Sequence, residues 1–310
     1  MKSGFRLAGA AWLTAALLAI LLVPATPAAP LTTAKVTETK NVVLYRPQAG
    51  AERPAKVADV VQGADVLRTG ERSLAEIEFS DKTLTRLGSK SVFTFSAATR
   101  EFHPGPGTTL IYVPKGLGGG RIVTPAVTAA IEGTTVIVQE IELPPVPGQA
   151  APRLLSKVIF LEGTGQVSLT QPKAVCPITH RRIGPGQMIV QLTDDPCLAD
   201  VQDIDLDILV KRSGIVTAFS EQLPSLPLIL AAVNAQNNAK SQGRLGPAGH
   251  GPHGPYSPTP PPGGIGDPVI TGPGRQGSII DVGDGFFLSS TWVPGSTKVQ
   301  GGGHFFVFHR

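Results

Sequence analysis

Aromatic residues make up 5% of the 310 positions and charged residues 16%, and the chain holds only two cysteines, two methionines and two tryptophans. No cluster of lysines and arginines interleaved with aromatic rings occurs, which removes the footprint that a phosphate backbone requires, and no nucleic acid is expected as a partner. Catalytic motifs are equally absent. There is no Gly-x-Ser-x-Gly elbow, no His-Glu-x-x-His helix and no phosphate loop, and Gly116 to Gly120 lead into the strand-like Arg121-Ile122-Val123 instead of a helix. His103, in a Pro/Gly loop, is the one candidate base, with no nucleophile or orienting acid identifiable beside it.

Metal motifs fail on inspection. Asp203-x-Asp205-x-Asp207 imitates the opening of a calcium loop, but Ile208 stands where glycine is required and Gly214 where a bidentate Glu is required. His250 and His253 have no carboxylate or cysteine close by and read as solvated linker histidines. The expectation is a non-enzyme with no catalytic residue, no cofactor and no metal.

What is present begins at the N-terminus. Lys2 and Arg6 precede an apolar run from Leu7 to Val23, which breaks into Pro24-Ala25-Thr26-Pro27-Ala28-Ala29. These are the three parts of a secretory signal peptide, with cleavage expected after Ala28. An uncleaved signal anchor is the alternative, because the run approaches spanning length. Residues 1–28 hold two of the 27 basic residues and none of the 23 acidic ones, so the mature net charge is +2 and favours no partner by charge alone. No later apolar stretch reaches spanning length, so no integral membrane segment is expected after cleavage, and the location is periplasmic or extracellular.

Cys176 and Cys197 both fall in this exported part, where a pair of cysteines is more readily a disulfide than a metal half-site. Closing the intervening loop would stabilise by about 3 kcal/mol. His180 lies between them, but a Cys/His/Cys zinc site would lack a fourth ligand and the short cysteine spacing.

Period-two alternation dominates the pattern. In Ser73 to Phe79, Ala75, Ile77 and Phe79 share one face while Glu76 and Glu78 take the other, which predicts a half-buried strand. Similar runs follow at Val92 to Phe95, Leu110 to Val113, Val136 to Ile141, Lys157 to Leu161, Gln166 to Leu169 and Met188 to Leu192. The fold class is therefore predominantly β: a sandwich, a roll or a short solenoid, which periodicity does not separate. Residues 130–138 recur at 160–168, each copy carrying a Glu-Gly-Thr turn. A facing carboxylate pair, Glu132 with Glu162, is the functional reading of that repeat; local hydrogen bonding at two tight turns is the structural one and is preferred.

Helical spacing appears twice in the second half. Val201, Ile204, Ile208 and Leu209, with acidic residues early and Lys211 and Arg212 late, predict a helix near 203–213 stopped by Gly214. Ser225 as cap and Pro227 in the first turn predict another over 226–240. From Ser241 to Arg275 about half the residues are Gly or Pro, too little apolar surface to fold, which reads as a disordered linker. Residues 276–310 regain aromatic and β-branched residues, ending in Phe305-Phe306-Val307-Phe308, and are expected to form β structure. The organisation expected is thus a signal peptide (1–28), a β domain (29–145), a second β region with the helices (146–240), the linker (241–275) and a terminal β segment (276–310).

From about Val42 to Gln139 the chain resembles the FecR domain, an extracytoplasmic β-rich domain of ferric-citrate uptake regulators. Gly63, Asp65, Leu67, Arg68 and Thr69 fit its Gly-Asp-x-Leu-x-Thr-Gly pattern with Ala64 inserted; Ser73, Ala75, Ile77, Phe79, Leu84, Gly88, Ser91, Thr124-Pro125 and Gly133-Thr134 follow it. Asp81-Lys82 stands where the family often has Asp-Gly. The resemblance implies an extracytoplasmic β fold. It does not extend to sigma-factor control, because only about six residues precede the apolar run. The function expected is an exported, non-catalytic module binding a protein or an envelope polymer. The alternatives are a structural or assembly component of the envelope, a signalling regulator, and a hydrolase.

Overall fold

In a computed structural model, residues 31, 33–144, 153–172 and 176–242 are described. The expected signal peptide, all of the expected linker beyond Gln242 and the expected terminal β segment lie outside them.

Eighteen strands alternate between two sheets. They are β1 Thr33–Lys40, β2 Val43–Arg46, β3 Arg53–Pro54, β4 Val60–Gln62, β5 Val66–Thr69, β6 Leu74–Phe79, β7 Leu84–Leu87, β8 Val92–Ser96 and β9 Glu101–Pro104. There follow β10 Gly107–Val113, β11 Gly120–Val123, β12 Val127–Ile131, β13 Thr134–Leu143, β14 Arg153–Glu162, β15 Gly165–Leu169, β16 His180–Ile183, β17 Gln187–Leu192 and β18 Gln202–Asp203. Sheet I has the order β18-β17-β14-β13-β10-β7-β6-β1-β4 and sheet II the order β16-β15-β12-β11-β9-β8-β5-β2-β3. Neighbours are antiparallel except β9 with β11. Among the described residues each sheet ends in two edge strands, so neither closes into a barrel.

The chain makes a hairpin in one sheet, turns a corner and makes the next in the other: β6–β7 in sheet I, β8–β9 in sheet II, β13–β14 in sheet I, β15–β16 in sheet II. Val36, Ile77, Phe79, Ile111, Val136 and Val158 of sheet I meet Leu67, Phe93, Phe95, Phe102, Ile122 and Val167 of sheet II in one apolar layer. Phe79 packs edge-on against Phe95 and Phe102, with ring centroids 4.8 and 5.7 Å away. The expected β predominance is what the structure has, in its two-sheet form. Strands from both sides of residue 145 contribute to both sheets, and β13 pairs with β14 from Thr135↔Glu162 to Leu143↔Arg153.

A third layer covers the other face of sheet I: α1 Leu206–Arg212, α2 Gly214–Thr217 and α3 Leu226–Ser241. Leu209, Val210, Ile215, Ile229 and Val233 pack there against Leu110, Ile137, Ile159, Leu161 and Val190. This layer corrects the expectation for 73–79. β6 is buried on both faces, and Glu76 is 4% exposed, because helices lie where alternation suggested water. The first helix also starts later than 203: Gln202–Asp203 pairs with β17, and Asp205 caps α1 by accepting from the Ile208 N–H. Gly214 is no stop; the Ser213 N–H closes α1 on the Leu209 carbonyl, and Gly214 opens α2. The second helix lies where spacing placed it, with Pro227 in its first turn, but the Ser225 hydroxyl reaches Thr135 instead of a helix N–H.

Candidate binding face

The residues that carry the resemblance to FecR are occupied in holding the sheets. Asp65 is buried and accepts from the Tyr45 hydroxyl (2.7 Å), the Gln62 N–H (2.8 Å) and the Gln48 N–H (2.8 Å). Burial, and then that carboxylate, pushes the Tyr45 hydroxyl up to about 12. The Thr69 hydroxyl donates to the Gly88 carbonyl and accepts from the Ser91 N–H, while the Ser91 hydroxyl donates to the Thr108 carbonyl at 2.9 Å. A side chain at Gly88 would lie 3.3 Å from Thr108. The two departures from the pattern, Ala64 and Lys82, have φ of +70° and +68°, the left-handed region that favours glycine.

The internal repeat is a pair of stacked corners. Glu132-Gly133 carries the chain from β12 in sheet II to β13 in sheet I, and Gly163 with Thr164 carries it back from β14 to β15. Both glycines are left-handed, and a Cβ on Gly163 would lie 2.5 Å from the Gly133 carbonyl oxygen. The two glutamates do not share a site. Glu162 is buried, accepts from Thr135 at 2.8 Å beside the start of α3, and is shifted upward mainly by burial; Glu132 is exposed on a groove along sheet II.

The burial of four ionisable side chains, Arg86, Glu76, Lys157 and Glu140, was not legible in the sequence. Arg86 and Glu76 form an ion pair at 2.8 Å on the helix side of sheet I, with side chains 0% and 5% exposed. Arg86 also donates to the Val216 carbonyl (2.9 Å) and the Glu221 carbonyl, under the Phe219 ring at 4.2 Å. Lys157, on β14, is fully buried, and burial brings its ammonium down to about 7. Glu140, on β13, accepts from Ser156 at 2.9 Å, and burial raises its carboxyl to about 8, so it is protonated at neutral pH.

The helical layer covers the outer face of sheet I from β17 to β6; among the described residues no such layer lies on the outer face of sheet II. Lateral register aligns Arg121, Ala130, Gln166 and Arg182 across β11, β12, β15 and β16, and Val123, Thr128, Ser168 and His180 in the next row. Arg121 and Arg182 end the first row about 14 Å apart, three strand spacings. Between them lie short or neutral side chains. A groove of about 810 Å³ runs over this row and is bounded by Gly118 to Gly120, Thr164 and Glu132. Arg121 is held by Glu101 at 3.2 Å, and the same carboxylate lies 3.6 Å from His103. His103 thus has an acidic neighbour two residues back along its own strand, β9, which two-residue spacing on a strand would have suggested; no hydroxyl or thiol is hydrogen-bonded to it among the described residues. Cys176 and Cys197 are joined as a disulfide, with Cα atoms 5.5 Å apart, and His180 lies exposed on β16. No group of three or more metal-ligating side chains occurs among the described residues, and no described helix is long and apolar enough to cross a membrane.

Known proteins place this chain only loosely. Two crystal structures of a proposed anti-sigma factor from Parabacteroides distasonis are similar to it. One, at 1.65 Å resolution, has a TM-score of 0.33 and 13% identity over 44% of this chain and 57% of that one. The other, at 2.50 Å, has a TM-score of 0.34 and 12% identity over 49% and 70%. The chain therefore spans little more than half the length of the first. No family model matches, and no curated protein does.

Proposed function

We propose that this chain is an exported, non-catalytic module of FecR type that binds a protein or an envelope polymer through the outer face of sheet II. The observation that carries the reading is the asymmetry of the layers: helices cover most of sheet I, whereas among the described residues sheet II presents a polar, groove-bearing outer face. Surfaces of that kind suit extended partners, with backbone-length spacing between the end arginines and hydrogen-bonding groups between them. The N-terminal signal pattern and the disulfide favour an oxidising compartment outside the cytoplasm. The family motifs mark a fold and not a site, since Thr69 and Ser91 spend their polar atoms on backbone groups and Asp65 on two backbone N–H groups and the Tyr45 hydroxyl.

The test is retention of the protein by envelope extract with Ala130→Arg and Gln166→Trp introduced together on the face. Both positions are exposed, so the variant keeps its fold, as circular dichroism checks, and loses retention. Unchanged retention by the folded variant assigns recognition elsewhere. Retention only on sedimenting wall or membrane material, with no discrete partner, favours the structural role in the envelope over the adaptor role.

A further inference from the structure

We propose that the first two turns of α3 dock the aromatic C-terminal segment of the same chain, residues 276–310. A helix lying on a surface presents one apolar stripe inward and polar residues outward. α3 departs from this in its first half only. Ile229 and Val233 point into the core, yet Leu228 and Leu230 are 46% and 47% exposed, beside exposed Pro227 and Ala231. Its second half is ordinary, with Asn234, Gln236, Asn237, Asn238 and Lys240.

The occupant follows from where the chain goes next. α3 ends at Ser241, and 69 residues remain. The first part is rich in Gly and Pro; residues 276–310 then hold five of the 12 phenylalanines and Trp292. The six phenylalanines of the described body, Phe79, Phe93, Phe95, Phe102, Phe160 and Phe219, are all buried, and the terminal five carry the same cost in water. From Gln242 back to Leu230 the helix measures about 18 Å. A Gly-rich chain of about 30 residues has a root-mean-square reach of about 30 Å, so the segment samples the patch at roughly millimolar effective concentration. This docking is independent of the binding role assigned to sheet II.

The experiment places a photoreactive amino acid at Leu228 in the full chain, with the exposed, polar-half position Asn237 as control. The result expected is a within-chain cross-link from 228 to residues 276–310 and none from 237. Cross-links solely between two copies, solely to other residues, equally from 237, or none at all overturn the docking. A second readout uses the mature protein from Ala29, in which Trp292 is the sole tryptophan. Adding Leu228→Asp and Leu230→Asp is expected to shift Trp292 emission to the red, toward that of a 276–310 peptide; unchanged emission also overturns the docking.

Discussion

Replacing Arg86 by Met removes the buried side chain that ties sheet I to α2 and the turn after it, a turn that Lys40 and Glu38 of β1 also reach at Ala218 and Ser220. Its guanidinium is fully buried and makes a charged hydrogen bond to Glu76 at 2.8 Å, bonds to the Val216 and Glu221 carbonyls, and a contact with the Phe219 ring. Methionine fills much of the volume, so the loss is electrostatic. The Glu76 carboxylate is left buried with only the Thr37 hydroxyl, 2.7 Å away, as a donor. Breaking a buried pair in this way costs about 3–5 kcal/mol. Removing both charges, Glu76→Leu with Arg86→Met, leaves the Val216 and Glu221 carbonyls without this donor and the Thr37 hydroxyl without this acceptor, at about 1–3 kcal/mol. Urea unfolding of the wild type, both single variants and the double variant measures the cycle. The double variant is expected to be more stable than Arg86→Met alone. A loss below about 1 kcal/mol in the Arg86 variant, or losses that simply add, would refute the view that the pair latches the helical layer.

Four further outcomes follow from buried charges and tight turns. Lys157→Met is expected to stabilise by roughly 3–5 kcal/mol below pH 7, because a folded pKa near 7 against 10.5 penalises the charged form; the gain shrinks as pH rises toward 10.5, and a pH-independent gain contradicts the assignment to charge burial. Glu140 has its folded pKa raised from 4.5 to about 8, so its contribution is fully present below pH 4.5 and lost as pH rises through 8; Glu140→Gln is expected to flatten that part of a stability-against-pH curve from chemical denaturation. At the tight turns, Lys82→Gly in the β6–β7 hairpin is expected to raise stability by about 0.5–1 kcal/mol by relieving a left-handed φ, whereas Gly163→Ala at the β14–β15 corner, with its Cβ against the Gly133 carbonyl, is expected to lower it by at least about 2 kcal/mol, both read from thermal unfolding.

The strands were legible because β-branched and aromatic residues alternate with polar ones. The 30-residue repeat was legible too, although only the structure identifies it as two corners stacked through Gly133 and Gly163. The covered face of sheet I was not readable. Glu76 and Lys157 stand at positions that alternation assigns to water, and only a distant helical layer buries them. The same limit applies to the outer face of sheet II. Arg121 and Arg182 lie 61 positions apart and share a row only through the register of four strands.

The sequence by itself determined the β predominance, the disulfide-permissive pair of cysteines, the second helix and the turns, because each rests on local spacing or on a residue's own backbone preference. Tertiary structure alone decided which face of each strand meets water, that Arg86 reaches the Val216 and Glu221 carbonyls, that Glu132 and Glu162 lie apart, and that helices cover one sheet while, among the described residues, none covers the other. Those outcomes depend on which distant segments pack together, and packing of that kind leaves no period in a sequence.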